Sequence, residues 1–355
     1  MEYVYHTSGS SPRYYPAWAF ICDLYLADDQ LTQRKVMPRN NMKSDWGEAS
    51  AVVMLGGTDS KPCALPQFLR VIWLSVAEAK CYKLERYIDS EEVAKIWEQK
   101  DSEGNPVFRF VVVGMTPYGG TALWIRGERK SVLIDWATAE EVNPYTEETG
   151  TYFAKCTPEQ FSALVLKRDE ACLSYLNENG LPPRDLFDRW MKQYFYRYRA
   201  LEEFWDGEGW QHYDEEDFFY DDMAIQYIRE ERYDGTHYDM GDTELMRYHL
   251  AGIAKRMAIS WKEGRKNFEA FFWFDYDAMA KALERQLFFD PEVKPTLLLR
   301  LDTRNKQHSL AIEGDSTTAA VTIPQEAYEL LVFQGENELW RSPNFSKEDE
   351  SEWDW

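Results

Sequence analysis

Carboxylates carry most of the chemistry this sequence could perform. Between Leu201 and Leu250 there are 16 Asp and Glu against three cations, Arg229, Arg232 and Arg247, and no Lys. The densest run, YDEEDFFYDD from Tyr213 to Asp222, sets six carboxylates and four aromatic rings together with no base among them. Like charges at this spacing repel and favour a solvated, extended segment, whereas the rings gain from burial or stacking. Two roles reconcile these demands. One is a solvated face that keeps the protein soluble. The other is a surface for a basic partner, which neutralises the acids while the rings supply anchors. On the second reading the contact residues are Glu202, Glu203, Trp205, Asp206, Trp210, Asp214, Glu215, Glu216, Asp217, Phe219, Asp221, Asp222, Asp239 and Asp242.

Other chemistry finds less support. The five histidines (His6, His212, His237, His249, His308) show no H-x-x-H or H-E-x-x-H spacing. DGTHYDMGDTE, Asp234–Glu244, gathers carboxylates that could wrap calcium, but it lacks the EF-hand spacing, and a polar loop explains it equally well. No G-x-S-x-G is present, and Cys172 has no His nearby in sequence. GMTPYGG, Gly114–Gly120, has glycines without the Lys-Ser/Thr of a phosphate loop, so it reads as a hairpin. A glycosidase-like carboxylate pair is defined in space and stays open, as does an aromatic platform for carbohydrate. The expectation is a protein without catalysis, metal or cofactor.

Composition bounds the classes further. The 355 residues suffice for two domains, and 44% hydrophobic with 15% aromatic content supports a sizeable core. Net charge is −22, from 62 acids and 40 bases, which argues against nucleic acid or an anionic membrane as partner. No stretch approaches 18 apolar residues, so no membrane insertion is expected. MEYVYHTSGS has neither a basic n-region nor an apolar run. Five cysteines without C-x-x-C make neither a zinc site nor a disulfide framework. A reducing cytoplasm fits these features; a periplasmic location is the alternative if a signal peptide has been removed.

The elements that must position the acids fall into regions. Residues 1–145 read as β-rich: YYPAWAFICDLYLA, ASAVVMLGG, FLRVIWLSV, KCYKLERYI, FRFVVVGMT, TALWIRG and SVLIDW are short apolar or alternating runs separated by turn signals. This pattern predicts an antiparallel, sandwich-like domain with Trp18, Trp73 and Trp124 mostly buried. One helix interrupts it at SEEVAKIWEQK, capped by Asp89 or Ser90. Residues 146–290 read as a mainly helical acidic region. Thr157-Pro158-Glu159-Gln160 is a capping box opening a helix to about Leu176, with Gly180 stopping it. Helical spacing continues through RDLFDRWMKQYFYRYRALEEFW and predicts helices over 217–230, 243–261 and 276–287. Residues 291–345 return to strands at PTLLLRLD, HSLAIEG and AAVTI, followed by a short helix from Pro324, and 346–355 form an acidic tail. The fold class is α+β.

SPRYYPAWAFICDLYL, LPQFLRVIWLSVAEAKCYKLERYIDSEEVAKIW, the VVGMTPYGG hairpin, the WATAEEV closing turn and NENGLPPRDLFDRWMKQYFYRYR together resemble a bacterial family of unknown function, the domain-of-unknown-function family two-nine-three-one. The resemblance covers roughly residues 3–200 and rests on aromatic and turn residues, which specify a fold and no catalytic group. It implies relatives that are often small lipoproteins, some of them similar to immunity partners of type VI secretion or Rhs-type toxins. This chain departs from them in having no lipobox cysteine and in its acidic C-terminal half. With the acidic run, the resemblance implies an immunity protein that occludes the basic cleft of a cognate toxin. The alternatives are a carbohydrate or cell-envelope binding protein and an unrecognised hydrolase.

Overall fold

The apolar runs YYPAWAFICDLYLA and FLRVIWLSV build the first sheet of the protein, each strand ending in a stretch that is mostly buried. The computed structural model describes residues 2–26, 33–35, 46–48, 62–146, 148–211, 225–240, 247–263, 266–303, 306–314 and 320–343. The strands expected from ASAVVMLGG and the acidic tail lie outside these. The architecture is α+β and strand-rich, with mostly antiparallel sheets. The chain divides into two compact units, Met1–Met191 with Asp234–Thr236, and Lys192–Tyr233 with His237–Trp355.

The first unit contains β1 (His6–Ser10), β2 (Ala17–Leu26), β3 (Gln33–Lys35), β4 (Pro66–Ser75), β5 (Lys80–Tyr87), α1 (Ser90–Trp97), β6 (Phe108–Met115), β7 (Gly120–Gly127), β8 (Ser131–Thr138), β9 (Glu140–Val142), α2 (Pro158–Leu166), α3 (Glu170–Asn179) and α4 (Leu186–Trp190). One sheet runs β3-β2-β4-β5-β9 and the other β1-β6-β7-β8, with β1 parallel to β6. Both sheets feed one core: Leu24, Val71 and Trp73 pack with Val111, Val113, Leu123 and Ile125. That is the sandwich the sequence predicts. Trp73 and Trp124 are fully buried, while Trp18 is half-buried under α2, edge-on to Phe161.

Local signals placed the helix ends. The Asp89 carboxylate accepts from the backbone N–H of Glu91 and Glu92, and Thr157 and Gln160 close a capping box. Each such cap is worth about 1 kcal/mol. The helix expected to run on to Leu176 breaks at Lys167–Asp169, because Asp169 caps a new helix by accepting from Cys172 N. GMTPYGG is a hairpin, as expected. Its Tyr118 sits at φ 63°, held by an N–H donated to Glu78 Oε2 (2.7 Å) and a hydroxyl donated to the Pro182 carbonyl (2.8 Å). A Cβ on Gly114 would lie 2.4 Å from the Trp124 ring, so only glycine lets that indole lie against β6. Trp124 Nε1 donates to the carbonyl of Asp234 at 3.0 Å.

The second unit corrects the expectation of a mainly helical acidic region over 146–290. From residue 194 it consists of β10 (Tyr194–Glu202), β11 (Phe204–Trp205), β12 (Trp210–Gln211), β13 (Ile225–Arg232), β14 (His237–Met240), β15 (His249–Ala251), β16 (Ala254–Glu263), β17 (Lys266–Phe274), α5 (Tyr276–Phe289), β18 (Thr296–Asp302), β19 (Gln307–Glu313), β20 (Val321–Ile323), β21 (Tyr328–Gln334) and β22 (Asn337–Arg341). Of the three helices expected over 217–287, that at Tyr276 forms, with Asp275 as its cap. Described residues 225–230 and 249–261 are strands instead. The reason is period. Tyr194, Tyr196, Tyr198 and Ala200 are buried while Phe195 is 48% exposed, a two-residue alternation that a strand satisfies and a helix does not.

Two sheets organise this unit, β15-β10-β18-β19-β20 and β14-β13-β16-β17-β21-β22. Helix α5 covers the first sheet, where Gln286 Nε2 donates to the Ile312 carbonyl at 3.0 Å. A buried polar cluster bridges the sheets. Tyr198 Oη donates to Glu230 (2.7 Å), Arg232 binds both Glu230 oxygens (2.8 and 3.1 Å), and Arg232 also meets His249 at 3.3 Å. The Glu230 side chain has 0% exposure and that of Arg232 9%. Burial and the Glu230 carboxylate push the Tyr198 phenol well above its ordinary pKa, so it remains a donor.

Breaking one side of this pair strands a buried charge. Glu230→Ala is expected to cost about 3–5 kcal/mol in urea denaturation, with Glu230→Leu/Arg232→Leu recovering much of it. A single variant costing no more than the double variant would refute this account. A second expectation concerns His308, half-buried edge-on to Tyr328 and held by burial below its ordinary pKa. As pH falls through about 6.5 the unfolded chain protonates first, so stability present above that pH is lost below it. Between about pH 7.5 and 5.5 the wild-type melting temperature should fall relative to that of His308→Gln; parallel curves would show that His308 is not responsible.

Candidate functional site

The described part of the acidic–aromatic region is the hairpin β11–β12. Its turn is set by Asp206, whose Oδ1 accepts from the N–H of Glu208 and of Gly209, both at 2.8 Å. These backbone donors hold the Asp206 carboxyl below its ordinary pKa, so it stays ionised. Gly207 takes φ +104°, a conformation that side chains rarely adopt. Across the two strands Trp205 pairs with Trp210, their rings edge-to-face with centroids 5.6 Å apart. Both are half-buried, which leaves one aromatic ledge partly open to water.

The hairpin is fixed to β18 at its base. Trp205 N donates to Oδ2 of Asp302 at 2.9 Å, and Asp302 is fully buried. Beside it, Arg300 pairs with Glu203 and with Glu313, each at 2.8 Å. A two-residue ladder by itself would not hold two indoles in place. Anchoring to a central strand of a five-stranded sheet does.

The predicted contact residues divide accordingly. Trp205, Asp206 and Trp210 are brought together on the hairpin. Glu203 is 3% exposed and committed to Arg300, which makes it a structural acid. Asp239 lies on β14, where it accepts from the Tyr227 hydroxyl and pairs with Arg229 at 3.5 Å. Glu202 ends β10 opposite Leu301. Asp214, Glu215, Glu216, Asp217, Phe219, Asp221, Asp222 and Asp242 lie outside the described residues. Sequence reasoning missed Arg300 and Asp302, the groups that hold the ledge. Neither carries a local signal, since each sits almost a hundred residues from its partner.

Among the described residues no three His, Cys, Asp or Glu come close enough to hold a metal ion. No described helix is long and apolar enough to cross a membrane. Cys22, Cys81 and Cys172 are buried thiols, and burial pushes all three above their ordinary pKa. That is the opposite of an activated nucleophile.

Structural and exposed acids should separate experimentally. Glu203→Ala is expected to lower stability by about 3 kcal/mol, because Arg300 keeps only Glu313. Asp206→Asn should leave the melting temperature within a degree or so of wild type, since the amide oxygen still accepts both turn N–H groups. Equal losses from the two variants would contradict the division.

A family model described as a protein of unknown function (DUF2931) matches residues 2–182, just over half of the chain. No curated protein and no solved structure matches it.

Proposed function

The chain belongs to the DUF2931 family, and on that premise we propose that it is an immunity protein: it binds a cognate bacterial secreted toxin of the type VI secretion or Rhs class and blocks that toxin's basic active-site cleft. One observation carries the reading. The Trp205–Trp210 ledge, stapled to β18 by Asp302, leads directly into the carboxylates of 214–222. Anchored rings followed in sequence by clustered acids are what a basic, water-filled cleft would accept. Charge speeds encounter, and the rings slow escape.

The pairing of the other acids strengthens the reading. Glu203, Glu230, Glu231 and Asp239 each have an arginine, namely Arg300, Arg232, Arg256 and Arg229. Two of the three arginines between 201 and 250 are thereby taken. The run from Asp214 to Asp222 contains no cation of its own. On this reading its charge meets the bases of the partner, and binding relieves the repulsion within the run.

The test needs a candidate cognate toxin, sought in the gene neighbourhood, and the purified pair. Replacing Asp214, Glu215, Glu216 and Asp217 by Asn or Gln should slow association about tenfold and flatten its salt dependence. Trp205→Ala or Trp210→Ala should speed dissociation about 30-fold, equivalent to an anchor of about 2 kcal/mol, with little change in melting temperature. Full protection of toxin-expressing cells by the four-acid variant, with unchanged kinetics, would falsify the assignment of this surface.

A further inference from the structure

The outer face of the β13–β16–β17 sheet carries a second concavity, remote in sequence from the hairpin and independent of the immunity reading. Its volume is about 330 Å³, at the lower end of the roughly 300–1,000 Å³ range of small-molecule sites. The polar lining is Gln226, Ser260, Lys262, Asn267 and Glu269, with Gly335 at the rim. The strand ladder explains why they converge. Ser260 stands opposite Glu269 and Lys262 opposite Asn267, so all four share one face. The alternate pair, Trp261 with Phe268, turns to the opposite face and is buried there, its rings stacked at 5.3 Å, which stiffens the two strands behind the polar side chains.

Gln226 joins them through an irregularity. The register of β13 against β16 shifts between Ile225 and Tyr227, the kind of bulge that re-aims a side chain. On the other side Gly335, at φ 61°, donates its N–H to the Asn267 carbonyl at 3.0 Å and adds no side chain to the rim. A Cβ there would meet nothing within 4 Å, so the glycine leaves the mouth open.

Charge and hydrogen-bond capacity decide what fits. Lys262 and Glu269 are diagonal neighbours, about 7–8 Å apart in such a ladder. Their charges cancel, which disfavours an ionic ligand. Desolvation by its neighbours raises the Glu269 carboxyl above its ordinary pKa, while the side chains of Gln226, Lys262, Asn267 and Glu269 all stay exposed to an incoming ligand. The amides of Gln226 and Asn267 and the hydroxyl of Ser260 offer paired donors and acceptors at short spacing. Such a set satisfies vicinal hydroxyls.

We propose that this concavity is a binding subsite for a neutral polyhydroxylated ligand, one or two saccharide units seated between Lys262 and Glu269 and held by the Gln226 and Asn267 amides.

Saturation-transfer NMR on the full chain tests it, with cellobiose, maltose and N,N′-diacetylchitobiose as probes and free lysine and glutamate as charged controls. At least one saccharide should bind with a dissociation constant near 1 mM, the strength of a few net hydrogen bonds, on the order of 4 kcal/mol. Gln226→Ala/Asn267→Ala should weaken it at least about tenfold. Its melting temperature should stay unchanged, because both side chains sit on the outer face. Silence from every saccharide at roughly 20 mM, or equal binding of the charged controls, overturns the proposal. So does a double variant that keeps full affinity. A wild-type chain that binds saccharide but protects no cell from the toxin would sink the immunity reading alone.

Discussion

A glutamate with no exposed surface sets the terms for the second unit. Removing a carboxylate and a guanidinium from water costs several kcal/mol per ion, recovered only where geometry is good and every remaining lone pair finds a donor. Glu230 meets that demand with Arg232 on both oxygens and the Tyr198 hydroxyl on one. The Tyr196 hydroxyl, 3.0 Å from that of Tyr198, donates on to the Gly252 carbonyl at 2.9 Å and extends the network into the backbone. Sliding β13 by one residue would turn Glu230 outward and Arg229 inward, against a wall of tyrosines. The network therefore selects one register for a strand whose sequence, IQYIREER, would otherwise tolerate several.

From that register follow the neighbours of β13 and, through them, both surfaces that could meet another molecule. β13 fixes β16, where Glu231 pairs with Arg256 at 2.5 Å, and its bulge at Gln226 opens the concavity between Ser260 and Asn267. β10, carrying the two tyrosines, runs parallel to β18 and delivers the chain to Asp302 and Arg300, where the tryptophan hairpin is stapled. One ionic cluster thus orders a saccharide-sized hollow on one sheet and an aromatic ledge attached to the other.

The first unit relies, among its described residues, mainly on apolar packing. Its core is aliphatic and aromatic, and its special backbone is concentrated where rings need room: Gly114 against Trp124, and Tyr118 at positive φ beneath Glu78. This is the half that the family model covers. The aromatic and turn residues that carry the resemblance are those that shape a sandwich, which is why membership in the family predicts architecture and names no reaction.

The sequence alone settled what depends on neighbours a few residues away. Asp89, Thr157 with Gln160, Gly180 and Asp275 end or begin helices through hydrogen bonds within one turn, and among the described residues the runs before residue 140 became the strands they suggest. Charge clustering between 201 and 250 was equally legible, since it needs only counting. Tertiary structure decided the rest. YFYRYRALEE carries rings and bases compatible with either period, and it became a strand because β18, a hundred residues on, offers a ladder that a helix cannot use. Which acids are spent and which remain for a partner was likewise decided at a distance. Glu203 reads like Asp206 until Arg300 is folded against it, because a carboxylate's role is set by the cation and the water around it.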